Sequence, residues 1–268
     1  MAAARGRRKR VGLIVTDRCR MTDRGHLLRS RTMRIGVFTD VHANLNAARA
    51  VVRSLGELGV DLIVHTGDSV SIGPEPAETL DYLLERDIIL IRGNHEVSLR
   101  DRLHENPPDW MHPDEIEHER WASDQIRGDH RAAIDRMPEL VRYRSGTRSV
   151  VLQHAGFDRE GNFLSSSEEY EQWRRISSES DDAPDLIAFG HDHRLHDELA
   201  GGTRFVSPGA AGCTKQDLTP YGVIDLEPGG VRYERHEIRY DRAATIRRFH
   251  ERLVPGRASV LRIFFGVE

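Results

Sequence analysis

Short apolar runs alternate with amphipathic stretches along the first third of the chain. The segments "RIGVFT" (34–39), "DLIVHT" (61–66) and "IILI" (88–91) have the length and apolar character of strands buried on both faces. Between them, residues 44–58 and 75–86 repeat leucine, valine and alanine at helical spacing. This order predicts a β-sheet whose strands are joined by helical crossovers, and hence an α/β fold.

A charged segment at about 97–140 interrupts the alternation. It contains four prolines, and its helical stretches lie around Trp110 and Trp121. We predict a helical insertion that covers one edge of the sheet, with the two tryptophans in a small core of its own. Its histidines are expected on the surface; they are His104, His112, His118 and His130.

The second half of the chain returns to strand patterns. A hairpin is indicated where "YGVIDLE" and the alternating "VRYERHEIRY" flank the turn "PGG". The other predicted elements are strands at 149–154, 185–190 and 204–209, a polar helix at 167–177, and helices at 241–253 and 258–266.

Composition indicates a soluble globular protein. Of 268 residues, 38% are hydrophobic and 31% charged, and no apolar run approaches the roughly 20 residues of a membrane span. The N-terminus lacks the apolar stretch of a signal peptide. The two cysteines, Cys19 and Cys213, form no paired motif, which suits a reducing compartment. We therefore expect a cytoplasmic protein without membrane contact.

Basic charge is concentrated at the N-terminus. Residues 1–33 carry ten Lys or Arg against two Asp, whereas the rest carries 29 basic and 41 acidic residues. We predict a flexible basic extension over 1–32 and one domain over 33–268. The extension could contact nucleic acid, but the acidic body speaks against a large nucleic-acid surface.

Metal-binding side chains follow five of the predicted strands. In open α/β sheets, side chains at the carboxyl ends of strands converge on one site. Imidazole, carboxylate and amide oxygen together suit Mn²⁺, Fe, Zn²⁺ or Co²⁺, and two such ions about 3.5–4 Å apart need one carboxylate that bridges them. The groups are Asp40 and His42; Asp68; Asn94, His95 and Glu96; His154; and His191, Asp192 and His193.

The order of these motifs, D-x-H, GD, GNH[E/D], H and GHxH, closely resembles the calcineurin-like metallophosphoesterases. The segment "GDSVSIGPEPAETLDYL" and the loop "SPGAAG" (207–212) are similar to the small bacterial phosphodiesterase branch. The resemblance runs from Met33 to the hairpin near residue 240. It implies a metallophosphoesterase-type β-sheet sandwich flanked by helices.

The resemblance also implies roles for individual residues. His95 matches a histidine that is not a ligand and that stabilises the phosphoryl oxygens or protonates the leaving oxygen, while Asn94 and His95 would contact substrate. Mn²⁺ is expected, with Fe, Zn²⁺ or Co²⁺ as alternatives. Asp40, His42, Asp68 and His193 would hold the first ion, and Asp68, Asn94, His154 and His191 the second, with Asp68 bridging.

The function implied is dimetal-dependent phosphoester hydrolysis, foremost of phosphodiesters, by a hydroxide that both metals share and that attacks phosphorus in line. The substrate is a phosphate ester, nucleotides included. Open alternatives are a phosphomonoesterase or protein phosphatase, a diadenosine polyphosphate hydrolase, and a non-catalytic interaction scaffold. A homodimer is a further expectation.

Other residues of the motifs have minor expected roles. Ala43 and Ser207 stand where the family usually has Gly and Asn. Glu96 and Asp192 are expected to support the ligands or face solvent. His65 is expected to pack against, or hydrogen-bond to, a neighbour.

Overall fold

Two β-sheets pack face to face, and helices cover the outer face of one of them. This computed structural model describes residues 14–16, 32–155, 171, 174–175, 177 and 182–267. The strands are β1 (Ile14–Thr16), β2 (Met33–Phe38), β3 (Leu62–His65), β4 (Ile88–Leu90), β5 (Leu140–Ser145), β6 (Arg148–Gln153), β7 (Leu186–Ala188), β8 (Leu195–Ala200), β9 (Thr203–Pro208), β10 (Leu218–Glu227) and β11 (Gly230–Arg239).

The helices lie mostly in the first half and at the C-terminus of the described chain. A 3₁₀ turn forms at Leu103–Glu105 and a π-helical turn at Leu261–Phe265. The α-helices are α1 (Leu45–Glu57), α2 (Pro76–Leu84), α3 (Asn94–Asp101), α4 (Pro113–Gln125), α5 (Gly128–Arg136), α6 (Arg242–Glu251) and α7 (Arg257–Val260).

The first sheet has the strand order β11-β10-β2-β3-β4, and the second has the order β1-β5-β6-β7-β9-β8. Strands β2, β3 and β4 are parallel, as are β6, β7 and β9. Each parallel set therefore directs its carboxyl ends towards one edge of its own sheet. An isolated bridge between Thr39 and Ala210 joins the loops that follow β2 and β9.

Alternation along the strands explains the layers. On β2, Ile35 and Val37 pack between the sheets, whereas Phe38 joins the core beneath the helices. Leu152 and Val206 face Val37 from the second sheet in the same core. All of these side chains are fully buried, so burial of both faces of β2 accounts for its continuous apolar sequence. The predicted sandwich flanked by helices is confirmed.

The predicted insertion is helical but begins three residues earlier than expected, because α3 starts at Asn94. Three of the described strands were not predicted; they are β1, β5 and β8. Strand β5 alternates buried Val141 and Tyr143 with arginines, and it lies almost wholly beyond the predicted insertion, in residues 141–148, to which no element was assigned. Strand β8 is mostly exposed and is held by pairing with β9, so it carries no apolar pattern.

Two expectations about the insertion were wrong. His104, His118 and His130 are buried rather than on the surface, because α4 and α5 pack against neighbouring helices; His112 is exposed as expected. Trp110 is 71% exposed and belongs to no core, whereas Trp121 packs at the edges of two apolar clusters.

Several predictions lie partly or wholly outside the described residues. Of the basic extension, only Ile14–Thr16 is described, and it pairs in parallel with β5. Most of the predicted helix at 167–177 also lies outside. The structure of one chain tests neither a cytoplasmic location nor a homodimer. These two expectations and the domain division stay predictions. Among the described residues, no helix is long and apolar enough to cross a membrane.

Candidate metal centre

The loops after β2, β3, β4, β6 and β7 meet where the two sheets adjoin. Strands β2–β4 belong to one sheet and β6–β7 to the other. The backbone amide of His191, in the loop after β7, donates to the carboxylate of Asp40, in the loop after β2, at 3.1 Å and links the two sheets. The eight side chains singled out in the sequence are connected here by contacts. They are Asp40, His42, Asp68, Asn94, His95, His154, His191 and His193.

Asp68 lies between two groups of potential ligands. Its Oδ2 is 3.9 Å from His42 Nε2 on one side and 3.2 Å from His154 Nε2 on the other. The residue is 1% exposed. A single buried carboxylate thus reaches both groups, as a bridging ligand would.

The first group is built around two facing imidazoles. The Nε2 atoms of His42 and His193 are 2.8 Å apart, and each lies 3.9 Å from Oδ1 of Asp40. Asp40 is completely buried, and His42 is 1% exposed. Carboxylate and imidazole atoms thus converge on one small volume.

The second group centres on the amide of Asn94. Its Oδ1 lies 2.9 Å from His154 Nε2 and 2.8 Å from His191 Nδ1. Ligand atoms of Asp68, His154 and His191 lie within 4.8 Å of one another. An amide oxygen, two imidazoles and the shared carboxylate thus form a second donor set.

Backbone carbonyls orient two of the histidines. His154 Nδ1 lies 2.9 Å from Thr66 O, and His42 Nδ1 lies 3.2 Å from Val70 O. Because a carbonyl only accepts, Nδ1 is the donor in each case and Nε2 is directed at Asp68. Outer hydrogen bonds of this kind fix the orientation of metal-binding histidines in proteins.

The loop backbones adopt an uncommon conformation at these residues. Asp40, His42, Asp68, His191 and His193 have φ values of 51°, 43°, 59°, 82° and 63°. A left-handed backbone costs a non-glycine residue about 1–2 kcal/mol, and such strain concentrates at functional sites. Surrounding contacts must therefore hold all five residues in place.

Two glycines allow the loops to approach each other. A Cβ on Gly67 would lie 2.6 Å from His154 Nδ1, and the φ of Gly67 is 105°. A Cβ on Gly93 would lie 2.5 Å from the Asp68 amide nitrogen. The glycines of "GD" and "GNHE" are thus required because side chains there would displace His154 or Asp68.

His95 lies beside the donor groups at the start of α3. Its backbone amide donates to Asp68 Oδ1 at 2.9 Å, and its ring is 5.1 Å from that of His42, centre to centre. Its Nδ1 lies 3.2 Å from Oε1 of Glu119, which is 2% exposed. Glu119 was missed in the sequence, because nothing in α4 marks one glutamate among several as facing inwards.

Glu96 supports the Asp68 loop. Its Oε2 accepts from the amides of Asp68 and Gly93 at 2.9 and 2.7 Å, and its Oε1 accepts from the amide and hydroxyl of Ser69 at 2.6 and 2.7 Å. The residue is completely buried. Of the two roles expected for Glu96, support is the one that the structure shows.

The Asp68 carboxylate favours positive charge on two of the imidazoles of the centre. Burial alone would raise the pKa of Asp68, but His154 and His95 hold that pKa well below its usual range. Burial would lower the pKa values of His154 and His95, yet the Asp68 carboxylate raises them to about 9 and about 10. The buried carboxylates thus draw protons onto two neighbouring imidazoles.

Cys213 is a further group that the sequence did not suggest. Its sulfur lies with ligand atoms of His42 and His193 in a cluster whose members are within 4.8 Å of one another. The loop is fixed, because Ala211 and Gly212 donate to the carbonyls of Thr39 and Asp40 at 2.9 and 3.0 Å. No pairing motif in the sequence could have indicated this position.

The remaining residues of the motifs have structural roles. Ala43 is buried with a φ of 50°, a conformation that favours glycine, the residue that the family usually has at this position. Ser207 Oγ accepts from the Gly209 amide at 3.3 Å, and Asp192 accepts from His196 at 2.6 Å. His65 packs against Phe38, and its ring nitrogens have no hydrogen-bond partner among the described residues.

The donor set fits two divalent transition-metal ions. Imidazole nitrogens, carboxylates and an amide oxygen match borderline cations better than Ca²⁺ or a soft metal. The close facing of His42 and His193, and the pairing of His154 with Asp68, are arrangements that a cation would stabilise. Asp68 is placed to contribute to both positions.

Known proteins share this fold. A metallophosphoesterase from Sphaerobacter thermophilus is 24% identical with a TM-score of 0.63, over 88% of this chain and 100% of that chain. A hypothetical protein from Pyrococcus horikoshii is 14% identical with a TM-score of 0.72, over 88% and 99%. A curated uncharacterized protein from Methanocaldococcus jannaschii is 24% identical over 45% of this chain; the match spans 49% of that relative's length.

A family model gives the assignment. Residues 33–229, well over half of the chain, match the calcineurin-like phosphoesterase superfamily domain. This range contains all eight side chains of the centre and most strands of both sheets. The protein therefore belongs to the calcineurin-like phosphoesterase superfamily.

Proposed function

We propose that this protein hydrolyses phosphodiesters at a two-metal centre. The observation that carries the proposal is the position of Asp68, whose Oδ2 lies 3.9 Å from His42 Nε2 and 3.2 Å from His154 Nε2. One carboxylate in this position can hold two cations close together, which in-line displacement at phosphorus requires. Membership of the superfamily supports the same chemistry.

Two ligand sets share Asp68 in this proposal. Mn²⁺ is the proposed metal, and Fe, Zn²⁺ or Co²⁺ suit the same donors. When bound, such ions supply Lewis-acid stabilisation of the phosphoryl oxygens and acidify water. The first set is Asp40, His42, Asp68 and His193, and the second is Asp68, Asn94, His154 and His191.

His95 would act on the substrate rather than on a metal. Its backbone amide is bound by Asp68, which places the side chain at the edge of the centre. The buried Glu119 carboxylate accepts from Nδ1 and leaves Nε2 free to donate a proton to the leaving oxygen. A positioned general acid contributes typically about 10²–10⁴-fold to such a step.

A purely structural role is less well supported. An interaction scaffold has no need of strained left-handed backbone at five polar residues, or of a buried glutamate that holds the central loop.

The preference for diesters rests on the similarity of residues 67–83 and 207–212 to the small bacterial phosphodiesterase branch.

The test is hydrolysis of an aryl phosphodiester and an aryl phosphomonoester, with Mn²⁺ and after chelation. We expect faster turnover of the diester and loss of activity on chelation. For a diester with an alkyl leaving group, which needs a proton, we expect loss of activity in His95→Ala with metal content preserved. His250→Ala, an exposed histidine on α6, is the matched control. Full activity after chelation would refute the metal mechanism, and a faster monoester would refute the substrate class.

A further inference from the structure

A cavity of about 450 Å³ opens beside His95. The start of α4 forms one wall, and the C-terminal segment 256–264 forms the other. His95 and Glu119 also line it. The volume is within the range of about 300–1,000 Å³ that is usual for small-molecule sites.

The cavity is continuous with the candidate metal centre. Phe264 lines the cavity, and its ring lies 5.7 Å from that of His193, centre to centre. One aromatic ring thus borders both sites. A group that leaves phosphorus towards His95 would therefore enter this cavity.

The chemistry of the walls favours a flat aromatic ring. Ile72, Val260, Ile263 and Phe264 present apolar surface, although Ile263 is 54% exposed. Polar side chains also line the cavity and offer both hydrogen-bond donors and acceptors; they are Arg262, Asp114 and Glu115. Apolar walls with a few polar groups suit a nucleobase, which combines a stacking face with hydrogen-bonding edges.

The C-terminal segment is anchored well enough to shape a specific wall. Leu261 and Phe265 are buried with Phe249 and Val254, so the intervening residues 262–264 are held from behind. Ser259 donates to Asp114 on α4 at 3.2 Å, which ties the two walls together. The turn is π-helical, a conformation that is rare and frequent at functional sites.

We propose that this cavity binds a nucleoside leaving group, with its base stacked against Phe264. The inference rests on the proposed phosphodiesterase function and names its substrate class: phosphodiesters in which the alcohol released is a nucleoside. His95, which lines the cavity, protonates the nucleoside oxygen as the P–O bond breaks. Water supplies the new oxygen on phosphorus, and the proton that this water loses restores His95.

Binding of adenosine tests the cavity without any turnover. Calorimetric titration of the Mn²⁺-loaded protein should show saturable binding of adenosine and none of ribose. Phe264→Leu, which keeps apolar bulk but removes the ring, and Phe264→Ala should each weaken adenosine binding about tenfold or more, since stacking of a base on an aromatic side chain contributes strongly. Leu253→Ala, an exposed apolar residue outside the cavity, is the control.

Turnover then tests the leaving-group side. Phe264→Leu should lower kcat/KM about tenfold for a dinucleoside phosphodiester and leave it within twofold for diethyl phosphate, a diester that contains no base. Metal content and thermal midpoint confirm that the variants are intact. Equal adenosine binding by wild type and both Phe264 variants, or equal losses on both esters, would overturn the inference. If neither ester is hydrolysed, the phosphodiesterase proposal fails, while adenosine binding still decides the cavity.

Discussion

Glu96 holds the backbone of Asp68 in place. Its Oε2 accepts hydrogen bonds from the amides of Asp68 and Gly93, so the loops after β3 and β4 are tied to one buried carboxylate. Asp68 has a φ of 59°, a strained conformation for aspartate. The central carboxylate of the site is therefore positioned by a glutamate whose two oxygens accept from the Asp68, Ser69 and Gly93 amides and the Ser69 hydroxyl.

Replacing Glu96 by Gln tests this support. The two oxygens of the Glu96 carboxylate accept four hydrogen bonds, two at each oxygen. Gln replaces one oxygen by an NH₂ group, which cannot accept, so two of the four N–H or O–H groups would lose their acceptor. We expect metal affinity to fall about 10–100-fold, as for other residues that orient metal ligands. Metal retained after dialysis against a graded chelator measures the loss. Glu57→Gln, on an exposed glutamate of α1, should retain metal like wild type, and equal retention in Glu96→Gln would contradict the role.

Asp68→Asn removes the shared charge while keeping the shape. Because Oδ2 lies near both His42 and His154, we expect occupancy of both metal positions to fall together. Activity should drop at least about 10³-fold, since each metal stabilises several kcal/mol of transition-state charge. Metal content by mass spectrometry and aryl diester turnover give the two readouts. Retention of two ions per chain would exclude Asp68 as the bridge; Asp124→Asn, an exposed residue, is the control.

Glu119→Gln tests the positioning of His95. The substitution removes the carboxylate 3.2 Å from His95 Nδ1 and leaves the metal ligands intact. We expect kcat to fall about tenfold or more for a diester with an alkyl leaving group, and far less for a p-nitrophenyl diester, whose leaving group needs no proton. A merely structural defect would lower both rates equally, and Glu119→Asp should restore part of the difference.

The sequence predicts the side chains that converge on the centre better than it predicts the groups that support them. Asp40 and Asp68 follow parallel strands of one sheet, so local pattern and topology bring them together. His191 follows β7 of the second sheet and reaches them because the two sheets pack face to face, which strand pattern alone does not show. Glu119 and Cys213 reach the centre from a charged helix and a small-residue loop, where only tertiary packing decides which side chain faces inwards.

The same distinction applies to the fold. Strands β2, β3 and β4 are apolar because both of their faces are buried, and so they are evident in the sequence. Strand β8 exists because its backbone pairs with β9, and its exposed side chains carry no trace of that pairing. Buried His118 could not be separated from exposed His112 either, since burial there depends on how α4 packs.

Accessibility of Cys213 tests the metal position that we propose at His42 and His193. Because its sulfur belongs to the same cluster, an ion bound there should cover or bind the thiol. In a Cys19→Ser background, we expect alkylation by iodoacetamide to be at least about tenfold slower in Mn²⁺-loaded than in chelated protein. His193→Ala should abolish that difference by emptying the position, whereas His250→Ala should preserve it. Burial and the carboxylates of Asp40 and Asp68 raise the pKa of the Cys213 thiol. A nearby cation that did not bind the sulfur would lower this pKa and speed alkylation. Faster alkylation with metal bound would therefore show that the ion neither covers nor binds the thiol.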